Sequence, residues 1–176
     1  MTKHSSVNLL EHPEASLDKI IQRCKDMIGD IDKKLRSRLN FYMARSTINN
    51  YYKILKEEIL VEFSDLKSKI SQDNKNYKLA CQWIFSLIRA LAIAFLNKYQ
   101  DPHKALEIIR LGEPLCLDQE MKDCYSNDIK ALENQIQYSK TMKERAKQER
   151  SNKILAIVLV IGLILTAVLY IFLTQK

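Results

Sequence analysis

The chain has 176 residues, and about 150 of them lie outside one long apolar run near the C-terminus, a length that supports one domain with a modest core. With 3 Gly and 3 Pro it is poor in the turn-forming residues that β-sandwiches and β-barrels need, so we expect an all-α fold. The net charge of +7 arises partly beside the apolar run. No interleaved aromatic residues accompany the other basic cluster, residues 33–38, so we expect no nucleic-acid partner.

Two long helices are expected after an N-terminal arm, residues 1–15, which shows little periodicity. From Ser16, apolar residues recur every three or four positions to about Met43, a spacing that predicts one helix with a single apolar stripe. The Ser-Thr pair at residues 46–47 can cap a second helix, whose apolar stripe continues to Ile70. We expect the two helices to form an antiparallel hairpin.

A third helix, residues 77–99, is expected to lie at the centre of the fold. It follows a polar loop, residues 71–76, and it is apolar around much of its circumference, so neighbours must cover it from more than one side. Asp101 and Pro102 then supply an N-cap and a first-turn proline, which predict a short helix over residues 103–110.

A long helix is expected to complete the chain. Gly112 and Pro114 end the short helix, and Asp118 is placed to cap the next one. Its apolar stripe fades towards the C-terminus and gives way to charged residues. We therefore divide the chain after the arm into a helical bundle domain, residues 16–138, and a basic juxtamembrane stalk, residues 139–153.

The apolar run over residues 154–173 contains no charged residue and predicts a transmembrane helix. A bilayer's hydrocarbon core is about 30 Å thick, and roughly 20 apolar residues of α-helix cross it. Core helices of soluble domains rarely run so long without a polar residue. Because so few residues follow the run, we expect a tail-anchored, single-pass protein. The residues predicted to lie in the membrane as part of this anchor include Ile154, Leu159, Gly162, Leu165, Leu169 and Leu173.

Basic residues precede this run, whereas Lys176 alone follows it. Lys and Arg near the end of a span are retained on the cytoplasmic side, so we expect the helical bundle to face the cytoplasm. Basic side chains near an anionic lipid surface contribute about 1 kcal/mol each. Those predicted to contact lipid headgroups are Lys143, Arg145, Lys147, Arg150 and Lys153. Gly162 and Thr166 form a small-x-x-x-small pair, which could join two spans in a homodimer.

Residues 87–136 resemble the helix-turn-helix units of tetratricopeptide-type proteins. An apolar helix ends near Asn97, an acidic turn follows at Asp101, and Ala105 with Leu106 opens the next helix. The chain contains no second copy at the period of about 34 residues that such arrays show. The resemblance implies binding rather than catalysis.

Few residues suggest chemistry. The 4 cysteines form no C-x-x-C pair and have no histidine at ligand spacing, and no nucleophile or phosphate-loop motif occurs, so we expect no metal, no cofactor and no enzymatic activity. Most cysteines fall on apolar helical faces, which predicts buried thiols in a reducing compartment. Tyr51 and Tyr52 flank the stripe of the second helix and could offer an aromatic anchor to a protein partner.

The hypothesis that these patterns favour is an adaptor or scaffold, anchored in a membrane, whose helical domain binds a protein partner at the membrane surface. A SNARE-like fusion protein has helices and anchor in the same order, but Pro102 and Gly112 would interrupt its heptad seam. A mitochondrial-fission adaptor of the Fis type is a second alternative. An apoptosis regulator of the Bcl-2 type is a third, although Ile84 follows Trp83 where that family has Gly.

Overall fold

The structure is a computed structural model that describes the backbone of residues 13–36 and 41–174, and the side chains of residues 13–36 and 45–162. The described residues are helical and contain no strand, which confirms the all-α prediction. The helices in chain order are α1 (Pro13–Arg36), α2 (Phe41–Ile54), a π-helical turn (Leu55–Ile59), α3 (Leu60–Lys67), α4 (Lys75–Asn97), α5 (Pro102–Arg110), a 3₁₀ turn (Glu113–Leu115) and α6 (Gln119–Thr174).

The chain divides into two compact units, Met1–Glu133 and Asn134–Lys176. The first unit contains α1 to α5 and the beginning of α6. The second unit is the remainder of α6. The described part of the predicted N-terminal arm is already helical, since α1 begins at Pro13 with proline in the first turn, three residues before the expected start.

The boundary between the first two helices was predicted wrongly. The expected first helix reaches Met43, but α2 begins at Phe41, so residues 41–43 belong to the second helix. Ser46 and Thr47 therefore lie inside α2 and do not cap it. The apolar spacing of three and four continues across this boundary, so periodicity alone could not locate it.

The expected antiparallel pairing of the first two helices is confirmed by side-chain contacts. Tyr51 donates a hydrogen bond to Asp30, with 2.6 Å between the oxygens. Further along the second helical segment, the Arg23 guanidinium contacts the carboxylates of Glu58 and Glu62 at 2.5 and 3.4 Å. The earlier residue, Tyr51, contacts Asp30, and the later residues, Glu58 and Glu62, contact Arg23, which is nearer the N-terminus of α1. The two segments therefore run in opposite directions.

A π-helical turn joins α2 to α3 and keeps their buried stripe in line. Tyr51, Leu55, Ile59 and Phe63 follow one another in steps of four, which is longer than the 3.6 residues of an α-helical turn. In the π-helical turn the hydrogen bonds join residues five apart, such as the Leu60 N–H and the Leu55 carbonyl. This wider turn compensates for the difference between a spacing of four residues and the shorter α-helical turn. As a result Leu55, Ile59 and Phe63 all stay buried.

Helix α4 is the central helix, as predicted. Its N-cap is Asn74, whose side chain accepts from the backbone N–H groups of Asn76 and Tyr77 at 2.8 and 3.2 Å. Helix α1 packs on it and so does α5, and the residues buried along it include Ile84, Leu87, Ile88 and Leu91, each 0% exposed. Burial on several sides removes most of its apolar surface from water, which is the largest favourable term in folding.

Helices α5 and α6 have the caps that the sequence predicts. The Asp101 carboxylate accepts from the Lys104 N–H at 2.9 Å, and Asp118 accepts from the Met121 N–H at 2.8 Å. After α5, Gly112 lies against the ring of Phe85 on α4, where an added Cβ would be 2.8 Å from two ring carbons. Close approach of backbone and ring therefore requires glycine at this turn.

Candidate functional site

The second unit carries the residues predicted to touch lipid. Within it, α6 is continuous through the basic segment, and the side chains of Lys143, Arg145, Lys147, Arg150 and Lys153 are all exposed. Six basic residues and two acidic residues lie between Lys140 and Lys153, so the segment is strongly positive. An exposed, positive helical segment attracts anionic surfaces.

The basic segment leads directly into exposed apolar side chains on the same helix. Seven large apolar residues between Ile154 and Ile161 are 51 to 63% exposed, with Leu159 at 61%. Successive residues of an α-helix project about 100° apart, so these eight positions point in every direction around the axis. Such a segment has no polar face to turn towards water.

The remaining predicted anchor residues lie further along the same helix. Nothing lies within 4 Å of a Cβ added at Gly162. Leu165, Leu169 and Leu173 lie within α6, but their side chains are outside the described residues. The predicted span and its pairing through Gly162 and Thr166 therefore stay predictions.

Among the described residues, one helix is long and apolar enough to cross a membrane, and it is α4. Its most apolar stretch has a mean hydropathy of 1.9, and 56% of that stretch is buried inside the protein. Helix α4 packs against α1 and α5 as the core helix of the bundle. Its composition reflects that burial.

Tyr51 and Tyr52, the predicted partner anchors, are half-buried and make hydrogen bonds within the bundle. Burial, assisted by the hydrogen bond to Asp30, raises the pKa of Tyr51 to about 12. Tyr52 donates to Glu107 on α5 at 2.7 Å, and the ammonium of Lys104 lies 4.2 Å from its ring centroid. Burial and the Glu107 hydrogen bond raise the pKa of Tyr52 as well. Both hydroxyls thus connect α2 to neighbouring helices.

The described cysteines are free thiols, and two of them lie in the core. Cys24 and Cys81 are 0% exposed. Burial raises the pKa of Cys24 to about 12 and that of Cys81 to about 11. Both thiols stay protonated at neutral pH, and a protonated thiol is a poor nucleophile and metal ligand. No group of three or more potential metal-ligating side chains occurs among the described residues.

A groove between α4 and the start of α6 was not predicted from the sequence. Two adjoining cavities, about 180 and 210 Å³, share Gln82, Asp118 and Met121 in their walls. Beside the groove, the Arg89 guanidinium holds Asp128 at 2.6 Å, which fixes α6 next to α4. The polar residues Lys78, Gln82 and Arg89 along α4 were the available signal, but they did not show which helix would lie beside them.

Comparison with known proteins identifies no relative of this chain. No family model matches it, and neither a curated protein nor a solved structure is significantly similar.

Proposed function

We propose that the protein is a non-enzymatic, single-pass membrane adaptor, anchored by residues 154–173, whose helical bundle binds a protein partner at the membrane surface. The observation that carries the proposal is the exposed apolar segment that follows the basic segment on α6. Each exposed Val, Leu or Ile side chain leaves unrealised in water a part of the roughly 1.5–3 kcal/mol that its full burial would contribute. Hydrocarbon is the environment that such a helix favours, because its backbone hydrogen bonds are already satisfied internally.

The basic segment fits the bilayer edge in this proposal. Its ammonium and guanidinium groups lie within about 15 residues of the span, the range over which Lys and Arg direct orientation. Their retention on the cytoplasmic side places the bundle in the cytoplasm. Contact with anionic headgroups would then add to the binding supplied by the span.

A bundle held at a membrane suits recruitment. Tethering confines the bundle to a thin layer with other membrane components and so raises their effective concentration. Weak contacts are then sufficient for binding. The likeness of residues 87–136 to tetratricopeptide units favours a protein partner. The free thiols in the core are consistent with the reducing cytoplasm.

Anchoring is tested by alkaline-carbonate extraction of membranes from cells that express the full chain. We expect the protein in the membrane pellet, and we expect the double variant Leu159→Arg with Leu165→Arg to move into the supernatant. Each Arg near the centre of a span costs about 2.5–3.5 kcal/mol. The matched control is Val61→Arg with Ile93→Arg, since Val61 and Ile93 are exposed apolar residues of the bundle, 53 and 46% exposed. Equal extraction of the wild type and the Leu variant would refute the anchor.

The receptor role of the bundle is tested by proximity labelling in cells. Ile84 is fully buried, so Ile84→Asp should disrupt the bundle while leaving the apolar run intact. We expect the variant to stay in membranes and to lose the proteins that the wild type labels. An unchanged set of labelled proteins would contradict an adaptor role and would leave anchoring standing.

A further inference from the structure

Four basic residues of the second unit lie on one side of α6. The helix is continuous from Gln119 to Thr174, and neither Gly nor Pro occurs in it before Gly162. Successive residues of an α-helix are turned by about 100°, so positions separated by three, four and three residues stay within an arc of about 80°. The residues at these positions form what we call the basic stripe: Lys140, Lys143, Lys147 and Arg150.

The basic stripe is exposed and keeps its positive charge. All four side chains are exposed, and none of them takes part in an ion pair within the described part of the chain. Glu144 borders the stripe beside Lys140. Arg145 and Glu149 project from the far side of the helix, with Arg145 about 180° from the middle of the stripe. Four cations thus form one surface about 15 Å long.

The half of the basic stripe farther from the apolar run lies above the headgroups if α6 crosses the membrane, a step that rests on the proposed function. Lys140 and Lys143 precede Ile154 by 14 and 11 residues, a rise of roughly 21 and 16 Å. The polar headgroup region of each leaflet is about 5–8 Å thick. Arg150, about 6 Å from the run, reaches this region. The two distant lysines face the space above it.

We propose that the basic stripe is a docking site for an acidic helix of a partner protein at the same membrane. Packed helices have axes about 8–10 Å apart, a separation that Lys and Arg side chains span. A helix with Asp or Glu at the same spacings of three and four residues presents a matching row of carboxylates. Exposed ion pairs are individually weak, so the contact depends on confinement of both proteins to one membrane.

The docking site is tested with a probe peptide of defined charge pattern. The full-length protein is placed in nanodiscs of phosphatidylcholine, which has no net charge. A fluorescent helical peptide with Glu at spacings of three, four and three residues is then added, and anisotropy gives its Kd. We expect Lys143→Gln with Lys147→Gln to weaken binding about fivefold, through the loss of two ion pairs.

The matched control removes the same charge from outside the basic stripe. Arg145→Gln with Lys153→Gln should change the Kd less than twofold, because neither residue lies within the arc of the stripe. A peptide of the same composition, with its Glu residues on all sides, should bind more weakly to the wild type. Equal weakening by the two double variants overturns the proposal, since binding would then follow net charge alone.

Two other occupants are separated by further measurements. In nanodiscs that contain anionic phosphatidylserine, we expect the fivefold difference between wild type and the Lys143 and Lys147 variant to persist. Its loss would mean that headgroups occupy the stripe and would overturn the proposal. Duplex DNA that binds more tightly than the peptide, and is weakened by the same two substitutions, would overturn it as well. Failure of the anchor is distinguishable, because carbonate extraction would then release the protein whatever the Kd values.

Discussion

Gly112 shows how one small residue sets the approach of two helices. An added Cβ would lie 2.8 Å from the Phe85 ring, closer than real contacts, and the ring itself is nearly buried. We expect Gly112→Ala to lower the free energy of unfolding by about 1–3 kcal/mol, the usual cost of overpacking. Thermal or urea denaturation of the purified protein measures the change.

Gly29 provides the matched control for that substitution. It lies inside α1, and nothing is within 4 Å of an added Cβ. Alanine is favoured over glycine in a helix interior, so Gly29→Ala should raise the free energy of unfolding by about 0.5–1 kcal/mol. If the two variants lost stability equally, the close contact at Gly112 would not be the cause.

Gln100 is a non-glycine residue in the left-handed region, with φ of 52°, just after α4. A side chain there costs about 1–2 kcal/mol, whereas glycine adopts this conformation freely. Gln100→Gly should therefore stabilise the protein modestly, by about 0.5–1 kcal/mol after the added entropy of the unfolded glycine. Gln82→Gly, in the interior of α4, should destabilise by about 1 kcal/mol in the same denaturation assay.

Tyr51 makes stability sensitive to alkaline pH. Its pKa is raised from 10.0 to about 12 by burial and by Asp30, so the folded state retains the proton that the unfolded state loses. Stability from this group is complete below pH 10 and falls as pH rises from 10 to about 12. Tyr51→Phe should cost about 0.5–1.5 kcal/mol at neutral pH and reduce the alkaline loss, as measured by urea denaturation at several pH values.

Tyr138 is the reference for that experiment, because it is 66% exposed. Tyr138→Phe should leave the stability at neutral pH unchanged. A Tyr51→Phe variant with the wild-type alkaline slope would show that the hydroxyl is not held in the bundle as described.

At the scale of elements, the Arg89–Asp128 pair joins α6 to α4. Two hydrogen bonds, at 2.6 and 3.2 Å, make it a bidentate contact with Asp128 only 26% exposed. We expect a double-mutant cycle with Ala at both positions to give a coupling of about 0.5–1 kcal/mol, the upper part of the range for partly exposed pairs.

The pair Arg110–Glu133 is a suitable comparison for this cycle. Its atoms are 3.7 Å apart, and both side chains are more than half exposed. Its coupling should be near zero, since solvent screens exposed charges. Equal coupling at the two pairs would mean that the bidentate geometry at Asp128 has no special role.

The sequence predicted those elements whose signals are local. Asp101, Pro102 and Asp118 provide recognisable caps, and the structure has helices at these positions. The start of α2 lacked a local signal, because neither Gly nor Pro interrupts the apolar spacing there. The π-helical turn at Leu55–Ile59 was not predicted, although three successive steps of four in the stripe exceed the α-helical period and could have indicated it.

The candidate site was predicted unevenly for the same reason. Composition alone identified the basic and apolar segments of α6, since charge and hydropathy are properties of consecutive residues. The hydrogen bonds of Tyr51 and Tyr52 depend on Asp30 and Glu107, which are 21 and 55 residues away in the chain. The groove lined by Gln82 and Met121 likewise requires two distant helices to meet.

At the scale of the whole molecule, helix α4 has the composition of a membrane span, and the sequence predicts another span over residues 154–173. Helix α4 buries its apolar side chains against other helices of the first unit, whereas the described apolar residues after Lys153 remain exposed. Environment separates a core helix from a candidate anchor more clearly than hydropathy does. The proposed anchor therefore depends on whether hydrocarbon or water surrounds residues 154–173.

The most direct measurement is the accessibility of single introduced cysteines in the full-length protein in intact membranes. A water-soluble maleimide is applied to Ser151→Cys, in the basic segment, and to Ile161→Cys, in the apolar segment, with each site followed by mass spectrometry. The account predicts rapid labelling at position 151 and no labelling at position 161, because hydrocarbon excludes the reagent and keeps thiols protonated. Equal labelling rates at the two positions would contradict a bilayer-embedded helix.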